Sequence, residues 1–227
     1  VCPSGAMRMV GSEWELDDLI ELIEKDRQYF DNSGGGITLS GGEPLLQSAF
    51  SLSLLEAAAA RGISTAVDTC GAVPPETIEQ SLPLTDYLFY DLKLIDPEEH
   101  RSFTGAGNDR ILENLRFAAD YARNNRKPEI WVRTPLIPGA TAGEENLQAV
   151  GDYLADIGTD VIARWELPAF NRLASDKYSR LGREWEYADT PILTDSEAEK
   201  LVNAAKSSRF SDKLIVLTGI TDSNASK

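Results

Sequence analysis

The residues best suited to chemistry fall in five short segments: SGGE at 40–43, DTCG at 68–71, DLK at 91–93, RTPLIPG at 133–139 and PAFN at 168–171. Adjacent glycines, Gly41 and Gly42, let backbone N–H and C=O groups come close to a ligand. Glu43 beside them can accept charge-assisted hydrogen bonds from a cationic group such as an ammonium. A Gly-Gly pair between a strand and a helix also serves simply as a turn. Asp68 and Asp91, with the Thr69 hydroxyl and the Leu92 carbonyl, make up the donor set of a hard-cation site, and Lys93 can meet a ligand carboxylate. Taken singly, each reads better as a helix cap or a surface ion pair; it is their convergence at successive strand ends that favours a ligand site. Arg133 lies in an otherwise apolar strand, WVR, so its guanidinium needs an acidic or a ligand partner. Cys70 reads as a small packed thiol rather than a nucleophile, because no histidine is near it in sequence. His100, the only histidine, reads as a solvated residue of a helix end in DPEEHRSF.

Strands and helices in alternation are what would hold these segments together. ITL, ISTAV, YLFYDL, EIWVR, VIARWEL and LIVLT have the apolar, β-branched and aromatic content of buried strands. Helical spacing marks 12–30, where Ser12 and Glu15 have the form of a capping box and Leu16, Leu19, Ile20 and Ile23 share a face. Further helices are expected from Pro44 to Arg61, at 75–82, 109–124 and 143–157, and after Thr194, where Thr194 and Glu197 repeat the capping-box pattern. This order implies an α/β fold with parallel strands joined by right-handed crossovers, as a barrel or an open doubly wound sheet. In such folds the C-terminal strand ends carry the site, so the five polar segments should converge on one mouth, which favours the barrel.

Bulk properties narrow the function classes. With 37 acidic against 22 basic residues, the net charge of −15 argues against a nucleic-acid backbone or an anionic membrane as partner. Apolar runs fall short of a spanning helix, and two cysteines are too few for a disulfide framework, so a cytoplasmic protein is expected. A phosphate-binding Gly-Lys loop, a Ser-His-Asp arrangement and a clustered Cys/His zinc set are all missing from the sequence.

Taken in order, GGGITLSGGEPLLQ, AVDTCG, YDLKLIDPEEHRSFTGAGNDRILENL, WVRTPLIPG and ELPAFNRLASDKYSRLGREWEY closely resemble the activating enzymes of glycyl radical enzymes, the pyruvate formate-lyase activating type, in the radical S-adenosylmethionine superfamily. The resemblance runs from about Cys2 to about Leu193. It implies an incomplete parallel (β/α) barrel in which a [4Fe-4S] cluster binds and reductively cleaves S-adenosylmethionine, and the resulting 5′-deoxyadenosyl radical takes a hydrogen from one glycine of the partner enzyme. On this resemblance Gly41, Gly42 and Glu43 hold the methionine amino group, and Lys93 contacts its carboxylate. Asp68, Thr69, Asp91 and the Leu92 carbonyl would bind a monovalent cation, and Arg133 belongs to the strand wall. A glycyl radical enzyme is the implied partner, with reduced flavodoxin or ferredoxin as electron donor.

Departures from the family pattern bear on function. Asn171 stands where some members carry a histidine near the nucleoside, although an amide can donate and accept there. The C-x3-C-x2-C segment that ligates the family's radical-generating cluster does not occur in these 227 residues. Cys2-Pro3-Ser4-Gly5-Ala6 resembles the close of a ferredoxin-type insert found in a longer branch of the family, and ferredoxin-type runs themselves end in Cys-Pro. Residues 1–11 are therefore expected to be the end of an iron–sulfur insert with Cys2 as a ligand, 12–220 a partial barrel lacking its first strand and cluster loop, and 221–227 a flexible tail. Such a chain should be inactive alone and should self-associate through an exposed sheet edge. Two other readings stay open: a non-catalytic module that docks a glycyl radical enzyme or S-adenosylmethionine, and a barrel hydrolase using Asp68 and Asp91.

Overall fold

Six strands form a single parallel sheet whose spatial order is the chain order: β1 (Gly36–Leu39), β2 (Ser64–Thr69), β3 (Tyr87–Asp91), β4 (Glu129–Arg133), β5 (Ile162–Pro168) and β6 (Ile215–Thr218). The structure is a computed structural model and describes residues 11–223, so Cys2 and the expected insert remnant lie outside the described residues. The sheet is open, with β1 and β6 at its edges.

Side chains alternate across the strands with period two, and the two faces differ in kind. Val67, Leu88, Tyr90, Ile130, Val132, Trp165 and Leu167 point to one face and are wholly buried. Between them, on the other face, Asp68, Phe89, Asp91, Trp131, Arg133 and Arg164 are half-buried. Burying each large apolar side chain contributes about 1.5–3 kcal/mol, so the sheet is held mainly from its apolar side. Trp165 packs edge-on against Phe210 at 5.9 Å between ring centroids and donates its Nε1–H to Thr134 Oγ1 at 3.0 Å, which satisfies the one polar atom of its ring.

Helices α3 (Ser48–Ala59), α4 (Pro75–Ser81), α6 (Asp109–Asn125), α7 (Glu144–Ile157) and α9 (Asp195–Lys206) supply that cover. Leu115, Ala118 and Ala122 of α6 and Leu147, Val150 and Leu154 of α7 recur at helical spacing on the buried faces. The remaining helices are α1 (Leu16–Glu24), α2 (Arg27–Ser33), α5 (Pro97–Thr104) and α8 (Ser175–Arg180).

Local signals were followed unevenly. The Thr194–Glu197 capping box forms in both directions. Ser12 does not cap α1: the helix begins at Leu16, after Glu15, with no side-chain cap. The stretch 12–30 is two helices rather than one, and the segment from Pro44 opens as a 3-10 turn, Pro44–Gln47, before α3 starts at Ser48. Asp222, placed in the tail from sequence, bridges Thr194, with its N–H bonded to Leu193 O at 2.9 Å.

Candidate functional site

Parallel pairing in chain order brings the C-terminal ends of β1 to β5 along one rim, and the five polar segments leave the sheet there. Glu43 ties the first two together. Its carboxylate caps the 3-10 turn by accepting from Leu45 N–H at 3.2 Å, then crosses to β2, accepting from Thr69 Oγ1 at 2.8 Å, Cys70 N–H at 2.9 Å and Cys70 Sγ at 3.2 Å. A carboxylate offers about four acceptor positions, so Glu43 is saturated from within the chain. Gly41 and Gly42 contrast with it: a Cβ at either would meet nothing within 4 Å, and Gly41 has φ +124°. The backbone beside Glu43 therefore faces open space.

The DTCG loop is clamped from below. Gly71 has φ +68° and lies so close to the Tyr90 hydroxyl that a Cβ there would overlap it. Tyr90 donates that hydroxyl to Ile111 O at 2.7 Å, and its burial pushes its phenol well above the usual range. Asn114 of α6, itself buried, donates to Gly71 O at 2.8 Å and Val73 O at 2.9 Å. Burial pushes the Cys70 thiol up, and the adjoining Glu43 carboxylate adds to this against a hydrogen bond from Ala72 N–H. A thiol so placed is a poor thiolate, in keeping with the packed role read from sequence.

The DLK loop is held in the same way by groups the sequence reading did not single out. Thr134 donates to Leu92 O at 2.7 Å, and Asn108 donates to Leu94 O at 2.9 Å and Ile95 O at 2.7 Å. Asn146 donates to Lys93 O at 2.9 Å while accepting from Ile95 N–H at 3.1 Å. Lys93 Nζ lies 3.3 Å from Asp91 Oδ2. Asp68 meets Arg133 Nη1 at 3.0 Å, and Ser40 Oγ stands at 3.5 Å. Burial raises the Asp68 carboxyl above its ordinary value; Arg133 opposes this and the charge of Asp91 adds to it. The two aspartates thus sense one another across β2 and β3.

Arg133 has the acidic partners its strand position demanded: Asp68 on one side and Glu166 Oε2, 3.0 Å from its Nε, on the other. Its guanidinium lies over the Phe89 ring at 4.2 Å. Glu166 was missed from sequence, although it stands directly opposite Arg133 in the β4–β5 register. Asn171 is not drawn into this network; its Oδ1 accepts from Leu173 N–H at 3.0 Å. His100 is buried rather than solvated, with Nδ1 2.8 Å from Ala106 O and 3.0 Å from Thr104 Oγ1. A groove of about 1230 Å³, bordered by Asp96, Gly143, Leu193 and Lys200, adjoins the rim through Ile95, Asn146 and the Pro138–Gly139 end of the RTPLIPG segment, and leaves Glu43, Asp68, Asp91 and Arg133 outside its lining.

The sequence matches the family model described as Radical SAM superfamily over residues 2–149. It is 40% identical over 184 residues to the isethionate sulfite-lyase activating enzyme of Desulfovibrio desulfuricans, covering 81% of this chain and 57% of that protein. It is 33% identical over 205 residues to the pyruvate formate-lyase 2-activating enzyme of Escherichia coli, covering 90% of this chain and 68% of that one. In fold it superposes on a domain of pyruvate-formate lyase-activating enzyme from Bacteroides vulgatus with a TM-score of 0.64 at 24% identity, over 82% of this chain and all of that domain. The chain thus spans between about half and two thirds of the length of such relatives. Strand order, the polar rim and these matches agree: the chain belongs to the radical SAM superfamily and, within it, to the activating enzymes of glycyl radical enzymes.

Proposed function

We propose that the rim formed by the ends of β1 to β4 is the S-adenosylmethionine site of a glycyl-radical-enzyme activating enzyme. The observation that carries this reading is the meeting there of an open Gly41–Gly42 backbone, a lysine at the DLK turn and the facing pair Asp68 and Asp91. The sulfonium amino acid would lay its ammonium against the carbonyls beside Glu43 and its carboxylate against Lys93. Bound and reduced, it would supply the radical that takes a hydrogen from a glycine of the partner enzyme. Arg133 and Asn171 would line the side toward the nucleoside.

A monovalent cation next to the ligand carboxylate would draw on Asp68 Oδ1, Asp91 Oδ1 and the second lone pair of the Leu92 carbonyl. The Thr69 hydroxyl is already committed to Glu43 and Gly71 N–H. An iron–sulfur cluster finds no place among the described residues: they hold one cysteine, Cys70, and no group of three or more His, Cys, Asp or Glu side chains able to hold a metal ion. These 227 residues alone are therefore expected not to cleave S-adenosylmethionine. A glycyl radical enzyme as partner, reduced flavodoxin or ferredoxin as donor and a cytoplasmic setting complete the reading. No helix among the described residues is long and apolar enough to cross a membrane.

Ligand-detected NMR with S-adenosylmethionine tests the site without requiring turnover. Saturable binding is expected, weakened at least tenfold by Lys93→Ala, with no 5′-deoxyadenosine formed under reducing conditions. An unchanged affinity in that variant, or no binding by the parent chain, would overturn the assignment.

A further inference from the structure

Glu166 carries the only carboxylate among the buried described residues, and it is only 8% exposed. A carboxylate this deep must be paired, because an isolated buried charge is expensive. Its oxygens are divided between two strands: Oε2 accepts from Arg133 Nε at 3.0 Å, and Oε1 lies 3.0 Å from Arg164 Nε. Arg164 Nε, although close, is aligned with no hydrogen-bond acceptor. That contact is an ion pair only, and the directional bond of Glu166 is the one to Arg133.

The pairing extends across the half-buried face of the sheet. Asp68 on β2, Arg133 on β4, then Glu166 and Arg164 on β5 alternate in sign. Beneath them lies an aromatic floor, with Arg133 over Phe89 at 4.2 Å, Arg164 over Trp131 at 4.6 Å, and the two rings 5.4 Å apart. A guanidinium is a rigid plane with five N–H donors. Arg133 spends Nε–H on Glu166 and one Nη1–H on Asp68, which fixes the plane at two points and leaves three donors uncommitted. Asp68 alone would leave the long side chain free to pivot about a single bond, so Glu166 decides which edge of Arg133 is offered.

We propose that Glu166 is the positioning residue of this site: it locks Arg133 on Phe89 so that the uncommitted edge of the guanidinium meets an oxygen of the bound ligand. The proposal rests on the S-adenosylmethionine reading for the identity of the ligand but not for the locking itself, and the two are separable by experiment. The first measurement is the Arg133 Nε–Hε signal of the ligand-free chain, assigned through Arg133→Lys. Glu166→Gln is expected to shift it and to raise its solvent exchange at least tenfold, with the backbone spectrum outside β4 and β5 unchanged; Glu166→Asp is expected to recover part of the protection. The second is a binding cycle with S-adenosylmethionine: Glu166→Gln and Arg133→Gln each weaken binding at least fivefold, and the double variant binds no more weakly than Arg133→Gln alone. Losses that multiply in the double variant would show Glu166 acting independently of Arg133 and overturn the proposal, as would an unmoved Arg133 signal. A parent chain that binds no S-adenosylmethionine removes the ligand reading, and the Arg133 signal then decides the locking role alone. Should Glu166→Gln fail to fold, Glu166→Asp, which keeps the charge and shortens the reach by one methylene, carries both comparisons.

Discussion

Gly71 and Gly41 both have positive φ, yet a methyl group would have opposite consequences at the two positions. At Gly71 it would drive into the Tyr90 hydroxyl, whose ring is wholly buried and cannot yield. Gly71→Ala should therefore cost about 3 kcal/mol or more, from overlap and backbone strain together, read as a lower urea midpoint. At Gly41 the methyl meets empty space, so Gly41→Ala should cost only about 1–2 kcal/mol of backbone strain while obstructing the open backbone a ligand would use. Asn114 belongs with Gly71. Its two donated bonds satisfy buried carbonyls, and each left unpaired costs about 1–3 kcal/mol, so Asn114→Ala should destabilise by several kcal/mol and loosen the DTCG loop. Cys70 supplies a pH readout at the same loop. A thiol raised by burial holds less thiolate at any given pH, so in a Cys2→Ser background its alkylation by iodoacetamide should be slower than that of a free thiol. The rate should climb with pH beyond the range where free cysteine has levelled off. Alkylation as fast as glutathione at pH 8 would contradict the half-buried placement against Glu43.

Among the elements, α9 and α1 separate a capping pattern that forms from one that does not. Thr194 accepts from Glu197 N–H at 3.2 Å, and Glu197 Oε2 accepts back from Thr194 N–H at 2.9 Å. Thr194→Ala should cost about 1 kcal/mol, whereas Ser12→Ala should be nearly neutral, a difference that thermal melts of the two variants resolve. The pH dependence follows from Glu197, whose carboxyl is lowered by the Thr194 backbone N–H and then its hydroxyl. A lowered folded value means that this contribution is present above the unfolded value and is lost as pH falls through the folded one. The penalty of Glu197→Gln should accordingly be visible at neutral pH and fade as the pH falls below the ordinary glutamate range. The same contrast explains what could be read from sequence. Strands β1 to β6 and the placement of the polar segments at their C-terminal ends were legible because apolar runs and the polar stretches that follow them are local patterns. The asparagine clamps at 108, 114 and 146 and the carboxylate at 166 were not, because each acquires its role from partners on other elements of the chain, such as Gly71 for Asn114 or Lys93 for Asn146. Ser12 misled for the converse reason: the local pattern is right, but the chain enters its first helix three residues later than that pattern requires.

For the molecule as a whole, the open sheet is the feature with the widest consequence. β1 pairs with β2 along one side, and its other side carries no strand among the described residues. Unpaired N–H and C=O groups along an edge are a template for another strand, and β1, four residues reading Gly-Ile-Thr-Leu, carries no charge or proline to discourage it. Opposing this is the net charge of −15, since two copies meeting edge to edge bring their acidic surfaces together. Attraction across the edge is short-ranged, while the repulsion acts over a Debye length of about 10 Å at 0.1 M salt and shrinks as salt is added. The balance predicts a two-fold dimer joined through β1 whose population rises with ionic strength, the reverse of an association driven by ion pairs. Sedimentation across a salt series reads this directly. Thr38→Lys, on an exposed position of β1, should suppress the dimer at every salt concentration without lowering the melting temperature appreciably, because that side chain contributes nothing to the core. A chain that stays monomeric at high salt, or a dimer that Thr38→Lys leaves intact, would place the association elsewhere or remove it.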